Sequence, residues 1–211
     1  MSTVEIARNG VGSALHLARA CALSNDELSI DVLPSAASRR LIDPLRRYAD
    51  FGSEYEIDPG MAELEGRKDE LGIVMAISQH DEPVATIRFI PTGHGLTLTE
   101  RYWRHAINDS QILGHDSWEV GRLVMAPEHR RSDLLPRCMA MSLGELLRTV
   151  RVRHFHASCL ARMTRLYRRF GFDTHCVSDA SGKECALIHG AVEQVARALK
   201  VPLEGQFTML Q

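Results

Sequence analysis

In the stretch SWEVGRLVMAP, residues 117–127, a carboxylate and a guanidinium sit in a strand otherwise built for burial. Glu119 and Arg122 stand among Trp118, Val120, Leu123, Val124 and Met125. Burying either charge is costly unless the two are paired or put to use. One use is proton transfer: an amine is a nucleophile only when neutral, and a nearby carboxylate can take its proton. An arginine beside it suits bidentate binding of a carboxylate. Three residues apart, the two side chains point to opposite faces of a regular strand. A β-bulge, frequent beside active sites, would bring them together. The bland alternative is a structural Glu–Arg pair across a sheet.

Other chemistry is sparser. After Pro127 come Arg130 and Arg131, then a helix that Ser132 or Asp133 can cap, with Pro136 in its first turn and Arg137 beside it. The free N–H groups and positive dipole end of such a helix suit a phosphate. His154 and His156 share one face of a short strand, but no second pair of ligands accompanies them, so no metal is expected. A Cys159–His156 nucleophile lacks a third orienting residue. The five cysteines are odd in number and scattered, with no C-x-x-C, which reads as reduced thiols in a cytoplasm.

The net charge of −2 hides an asymmetry. Residues 50–119 carry fourteen acidic side chains against five Lys or Arg, whereas residues 120–170 carry three against eleven. A basic second half suits an anionic partner, although many of these arginines can equally solvate helix faces. Nucleic acid is not expected, because the basic stretch lacks interleaved aromatics. No apolar run approaches the roughly 20 residues of a membrane span, so no integral membrane association is expected. The first residues show no clear signal peptide.

These side chains need elements to hold them. Apolar spacing predicts a helix over 38–52 with Pro44 near its start, strands at 72–78 and 84–90 joined as a hairpin, and a strand at 117–127. A helix follows from about 133, its apolar face formed by Leu135, Met139, Leu143, Leu146, Leu147 and Val150. A strand at 153–159, a helix ended by Gly171, a hairpin and a closing helix complete an α/β pattern. Residues 1–37 read as an N-terminal arm or helical extension, and 38–211 as the main domain.

The combination of LVMAPEHRR-helix with LYRRFGF (166–172) resembles the GNAT-like acyltransferase superfamily. That resemblance implies a GNAT-like mixed, mostly antiparallel sheet with a splayed central strand, flanked by helices. In the superfamily the loop and helix after the splayed strand bind the pantetheine-phosphate arm, which here involves Met125, Arg130, Arg131 and Arg137. The Tyr of the LYxxxGF pattern, here Tyr167, would protonate the departing thiolate. The superfamily's glycine-rich turn is absent: RRSDLLP (130–136) has no Gly. This loss resembles the branch of N-acyl-homoserine-lactone synthases and long-chain N-acyl amino acid synthases, which take acyl groups mainly from the acidic acyl carrier protein.

ATIRFIPTGHGLTLTERYW (85–103), SWEVGRLVM (117–125) and the helix containing Arg47 and Phe51 also resemble that branch. The resemblance spans roughly residues 40–175. It implies Glu119 as the base, with Arg122 and Arg88 orienting it, holding an acceptor carboxylate or shaping the acyl site, and with Arg47 and Phe51 at the acceptor or acyl site. Homoserine-lactone synthases carry an Asp-x-x-Asp before the hairpin. GMAELEGRKDELGIV has Glu63, Glu65, Asp69 and Glu70 but not that spacing, which tilts the acceptor from S-adenosylmethionine toward an amino acid. Met125, Met139, Met141, Leu143 and Leu147 line an acyl pocket or are simply core.

The expected activity is therefore N-acyl transfer of a medium or long chain from acyl carrier protein, or from acyl-CoA, to a small amine, with no tightly bound cofactor. The alternatives are a homoserine-lactone synthase, a CoA-dependent N-acetyltransferase, and a non-catalytic acyl- or pantetheine-binding module.

Overall fold

A computed structural model describes residues 28–49, 58, 60–107, 113–114, 116–130, 133–180 and 182–203. Strand β1 (Leu28–Val32) leads into helix α1 (Ala36–Arg39), a 3-10 turn and helix α2 (Asp43–Arg46). Helix α3 (Met61–Leu71) precedes the hairpin β2 (Ile73–Gln79) and β3 (Glu82–Pro91). A single π-helical turn (Thr99–Trp103) comes next, followed by β4 (Ser117–Met125), α4 (Leu134–Thr149) and β5 (His154–Leu160). Helix α5 (Thr164–Arg168), the hairpin β6 (Asp173–Ala180) and β7 (Lys183–Ala191), and helix α6 (Val192–Leu199) close the domain.

The seven strands form one sheet in the order β1-β2-β3-β4-β5-β7-β6. Every pairing is antiparallel except β4 with β5. This is the mixed, mostly antiparallel GNAT-like sheet flanked by helices that the motifs imply. The β2–β3 hairpin turns through His80 and Asp81, both at positive φ, the backbone that matches the twist of two tightly joined strands. One face of the sheet presents Met75, Ile77, Ile87, Phe89 and Phe155 to the apolar side of α4 and α6. On α4 that side is Leu134, Cys138, Met139, Leu143 and Leu146, close to the expected stripe. Asp133 holds the N-cap position of α4 without a capping hydrogen bond, and Ser132 lies outside the described residues.

The opposite face is different. Val74, Ala76 and Ala126 meet Leu33, Ile42 and Leu45 in a small apolar cluster, and α3 covers the rest with charged side chains. The helix expected over 38–52 is broken. Proline lacks an N–H and clashes with the carbonyl four residues back, so Pro44 starts the new helix α2 after the 3-10 turn Arg40–Ile42. A capping box between Ser35 and Ser38 starts α1, each side chain bonding the other's backbone or hydroxyl. In the expected N-terminal arm, residues 1–27 lie outside the described residues, and 28–32 form the edge strand β1.

Candidate active site

Strands β4 and β5 pair through three rungs, Ser117–His154, Trp118–Phe155 and Glu119–His156, and then part. Past the fork, Val120–Val124 form one wall of a cavity of about 540 Å³ and Ala157–Leu160 the other. Met139, Phe172 and Ile188 form its apolar depth, and Lys68, Arg88, Glu119 and Arg122 its polar end. A volume of this size suits a small-molecule site.

The same strand carries a bulge. Arg88 pairs with Gly121 and Thr86 with Val124, so Ile87 alone faces both Arg122 and Leu123. Arg122 takes up the extra residue at φ 51, a left-handed backbone that costs a non-glycine residue energy. The bulge breaks the alternation of the strand and turns Arg122 onto the face of Glu119 and Arg88, beneath α3. The three-residue spacing is thereby reconciled with a shared site.

Glu119 is buried and accepts three hydrogen bonds: from Leu98 N (3.2 Å), Thr99 N (2.9 Å) and the Thr99 hydroxyl (2.8 Å). Burial raises its pKa above the ordinary carboxylate value, outweighing the bonds from Thr99 and the charge of Lys68 that favour the ionised form. A raised carboxylate pKa brings a base closer to working pH. On the far side of Thr99, its hydroxyl meets His156 Nδ1 at 2.8 Å. Burial drives His156 down to about 3, so it is neutral.

The two arginines engage α3. Glu65 receives Arg122 Nε (2.9 Å) and Arg88 Nη1 (3.0 Å), with Arg122 Nη2 at 2.8 Å from its second oxygen. Lys68, itself 1% exposed, reaches the same carboxylate at 3.0 Å. Asp69 binds Arg88 at 2.7 Å and is clasped by both terminal nitrogens of Arg46. Burial alone would raise the Glu65 pKa, but Arg88 and Arg122 overcome it and hold the group at about 2. The polar end of the cavity is thus a dense lattice of paired charges with one protonatable carboxylate, Glu119, at its edge.

Tyr167 stands across the fork, half-buried on α5 and packed edge-on against Phe170 and Phe172. Its hydroxyl has no hydrogen-bond partner among the described residues, and burial pushes its pKa up to about 12. The side chain of Met125 is buried in the core, while its carbonyl accepts from Arg130 Nε at 3.2 Å. Arg130 also reaches the Tyr48 carbonyl, tying the turn after β4 to the end of α2. Arg137 is exposed near the start of α4. Arg47 is exposed at the end of α2, where its neighbour Arg46 is the residue that reaches Asp69. Phe51 and Arg131 lie outside the described residues. Among those described, no group of three or more His, Cys, Asp or Glu is placed to hold a metal ion, and no helix is long and apolar enough to cross a membrane.

Sequence reasoning did not find the roles of Glu65, Lys68, Asp69, Thr99 and His156. Glu65, Lys68 and Asp69 had a signal: at i, i+3 and i+4 they share one helix face.

Residues 39–182 match the family model described as "N-acyl amino acid synthase FeeM". Among solved structures, the chain resembles FeeM, an N-acyl amino acid synthase from uncultured soil microbes, at 15% identity and TM-score 0.61, covering 82% of this chain and 96% of that one. The acyl-homoserine-lactone synthase LasI aligns at 11% identity and TM-score 0.52, over 82% and 95%. Spermidine N-acetyltransferase from Vibrio cholerae aligns at 13% identity and TM-score 0.54, over 80% and 97%. These likenesses establish the fold. No curated protein matches in sequence.

Proposed function

Because the chain belongs to the N-acyl amino acid synthase FeeM family, an N-acyltransferase family, we propose that it moves a medium or long acyl chain from acyl carrier protein to the α-amine of an amino acid. The observation that carries this reading is the buried Glu119 at the fork of β4 and β5, facing a cavity apolar at one end and charged at the other. The acyl chain lies toward Met139, Phe172 and Ile188, and the amine approaches beside Glu119.

The amine attacks the thioester carbonyl directly, forming the C–N bond. Glu119 takes the ammonium proton, directly or through water. The backbone N–H groups of β4 past the fork, where no strand covers them, stabilise the oxyanion. As the C–S bond breaks, Tyr167 donates a hydrogen bond to the sulfur. A phenol held at about 12 is always protonated at neutral pH, so the donor is always present. Full transfer to a thiolate of pKa roughly 8.5 is uphill, so the thiolate's proton comes finally from the amine by way of Glu119 or water.

Carrier protein is favoured over CoA as donor by the basic surface of α4 and α5. Arg137 on α4 and Arg165, Arg168 and Arg169 on and after α5 are exposed, and an acidic carrier complements them. An amino acid is favoured as acceptor by the family description.

The test mixes purified protein with a panel of C8–C16 acyl carrier proteins or the matching acyl-CoAs. Each donor is supplied with pooled amino acids or S-adenosylmethionine, thiol release is followed, and the extract is analysed by mass spectrometry. A new N-acyl amino acid dependent on carrier protein is the expected result. Product only with acyl-CoA, or only with S-adenosylmethionine, overturns the donor or the acceptor assignment respectively.

A further inference from the structure

Behind Glu119 lies a chain of hydrogen bonds that the transfer reaction does not itself require. The Thr99 hydroxyl is 2.8 Å from Glu119 Oε2 and 2.8 Å from His156 Nδ1. Thr99 begins the π-helical turn, a rare conformation found often at functional sites. That turn is pinned at several points. Trp103 Nε1 donates to Ser158 Oγ at 2.7 Å, the Tyr102 hydroxyl meets Ser178 at 3.1 Å, and Glu100 gathers the N–H groups of Gly93, Gly95 and Thr97. Thr99 is therefore held in place between the two side chains.

We propose that His156 is a positioning residue for Glu119: its Nδ1–H, relayed by the Thr99 hydroxyl, steadies the ionised carboxylate and sets the pH at which turnover begins. This rests on the reading of Glu119 as the base.

The direction of the chain follows from counting protons. An ionised carboxylate only accepts, so the single Thr99 hydroxyl proton goes to Glu119. The Thr99 oxygen must then accept, and the donor facing it is His156 Nδ1–H. His156 Nε2 is left with its lone pair, and this buried atom has no hydrogen-bond partner among the described residues. The reverse tautomer would leave a buried N–H orphaned, which folded proteins rarely tolerate. Lys68 from α3 is the cation facing Glu119, and Glu100, His154 and His189 face His156. Because His156 is neutral down to about 3, the chain keeps this polarity wherever Glu119 is ionised.

Nitrogen-15 NMR of histidine-labelled protein reads the tautomer directly, with His156→Asn identifying the signal. A neutral ring protonated on Nδ1 is expected, and protonation on Nε2 overturns the proposal. Infrared difference spectra, with Glu119→Gln as reference, then titrate the Glu119 carboxyl in His156→Leu, His156→Asn and Thr99→Val. Loss of the chain in the Leu and Val variants should raise its midpoint by about one pH unit. Asn places an N–H donor close to the position of Nδ1 and should restore most of the shift. The acid limb of kcat/KM should follow the same order. Identical midpoints in the Leu and native proteins, or an acid limb that ignores the carboxyl midpoint, overturn the proposal. Should no donor and amine react at all, the proposed function fails, and the tautomer and carboxyl titration still report on the chain itself.

Discussion

At the residue scale, the site separates two kinds of carboxylate by environment. Glu119 is buried, its hydrogen bonds come from Leu98 and Thr99, and its pKa rises, whereas Glu65 sits among Arg88, Arg122 and Lys68 and its pKa falls to about 2. The first is suited to exchange protons and the second to stay charged. Glu119→Gln should lower kcat/KM by about 10²–10⁴-fold, the range of general-base catalysis, with circular dichroism unchanged. In the native enzyme kcat/KM should fall on the acid side at a midpoint above 4.5, the ordinary value for Glu.

Glu65 predicts a stability profile of opposite sense. Its folded pKa is depressed from 4.5, so its contribution is complete above that pH and is lost as pH falls toward 2. Removing it takes the shared carboxylate from Arg122, Lys68 and Arg88, which keeps Asp69, and losing one partner of a buried ion-pair network costs up to about 3–5 kcal/mol. Glu65→Gln should lower the denaturation midpoint at pH 7 and flatten the loss of stability between pH 4.5 and 2, read by denaturant titration.

At the element scale, the legible parts of the chain were those that bury apolar side chains. Helices α4 and α6 and strands β2–β5 and β7 announce themselves by period, because their packing is apolar on one or both faces. Helix α3 does not, because the face it buries carries Glu65, Lys68 and Asp69, and hydrophobic periodicity does not register a helix whose core is a salt-bridge lattice. Strand β1 escaped for a related reason. It is an edge strand with three exposed residues in the pattern LSIDV, too short and polar to separate from a loop. The motif around Glu119 and Arg122 was legible, and its bulge was foreseeable from parity alone. Thr99 and His156 were not, since their link is a contact between residues 57 positions apart.

The turn after α5 was legible through Gly171, whose φ of 87 ends the helix. A Cβ there would lie 2.7 Å from the Gln194 carbonyl oxygen on α6. Gly171→Ala should therefore destabilise the protein by about 2 kcal/mol or more, combining left-handed strain with backbone overlap. Thermal denaturation measures it, and a change within a few tenths of a degree would remove the close approach from the account.

At the scale of the whole molecule, charge is partitioned as the sequence indicated. The acidic stretch contributes α3 and its neighbours, where carboxylates are spent on internal arginines, and the basic stretch leaves Arg165, Arg168 and Arg169 exposed. Reversing these three to Glu should raise KM for acyl carrier protein at least tenfold while leaving KM for a short acyl-pantetheine within twofold. The native KM for carrier protein should also rise with salt. Equal effects on both donors would place the docking surface elsewhere.

The fork between β4 and β5 has a mechanical meaning as well as a chemical one. Among the described residues, three rungs are the only strand pairing that joins β1–β4 to β5–β7 within the sheet. The sheet is two plates joined along a short seam, while each plate is laddered along most of its length. Flexing at the seam breaks few hydrogen bonds, whereas bending either plate breaks many. Within the sheet, the fewest ladder bonds therefore resist widening of the cleft, and the bonds from the π-helical turn to Ser158 and Ser178 reinforce the seam from outside it.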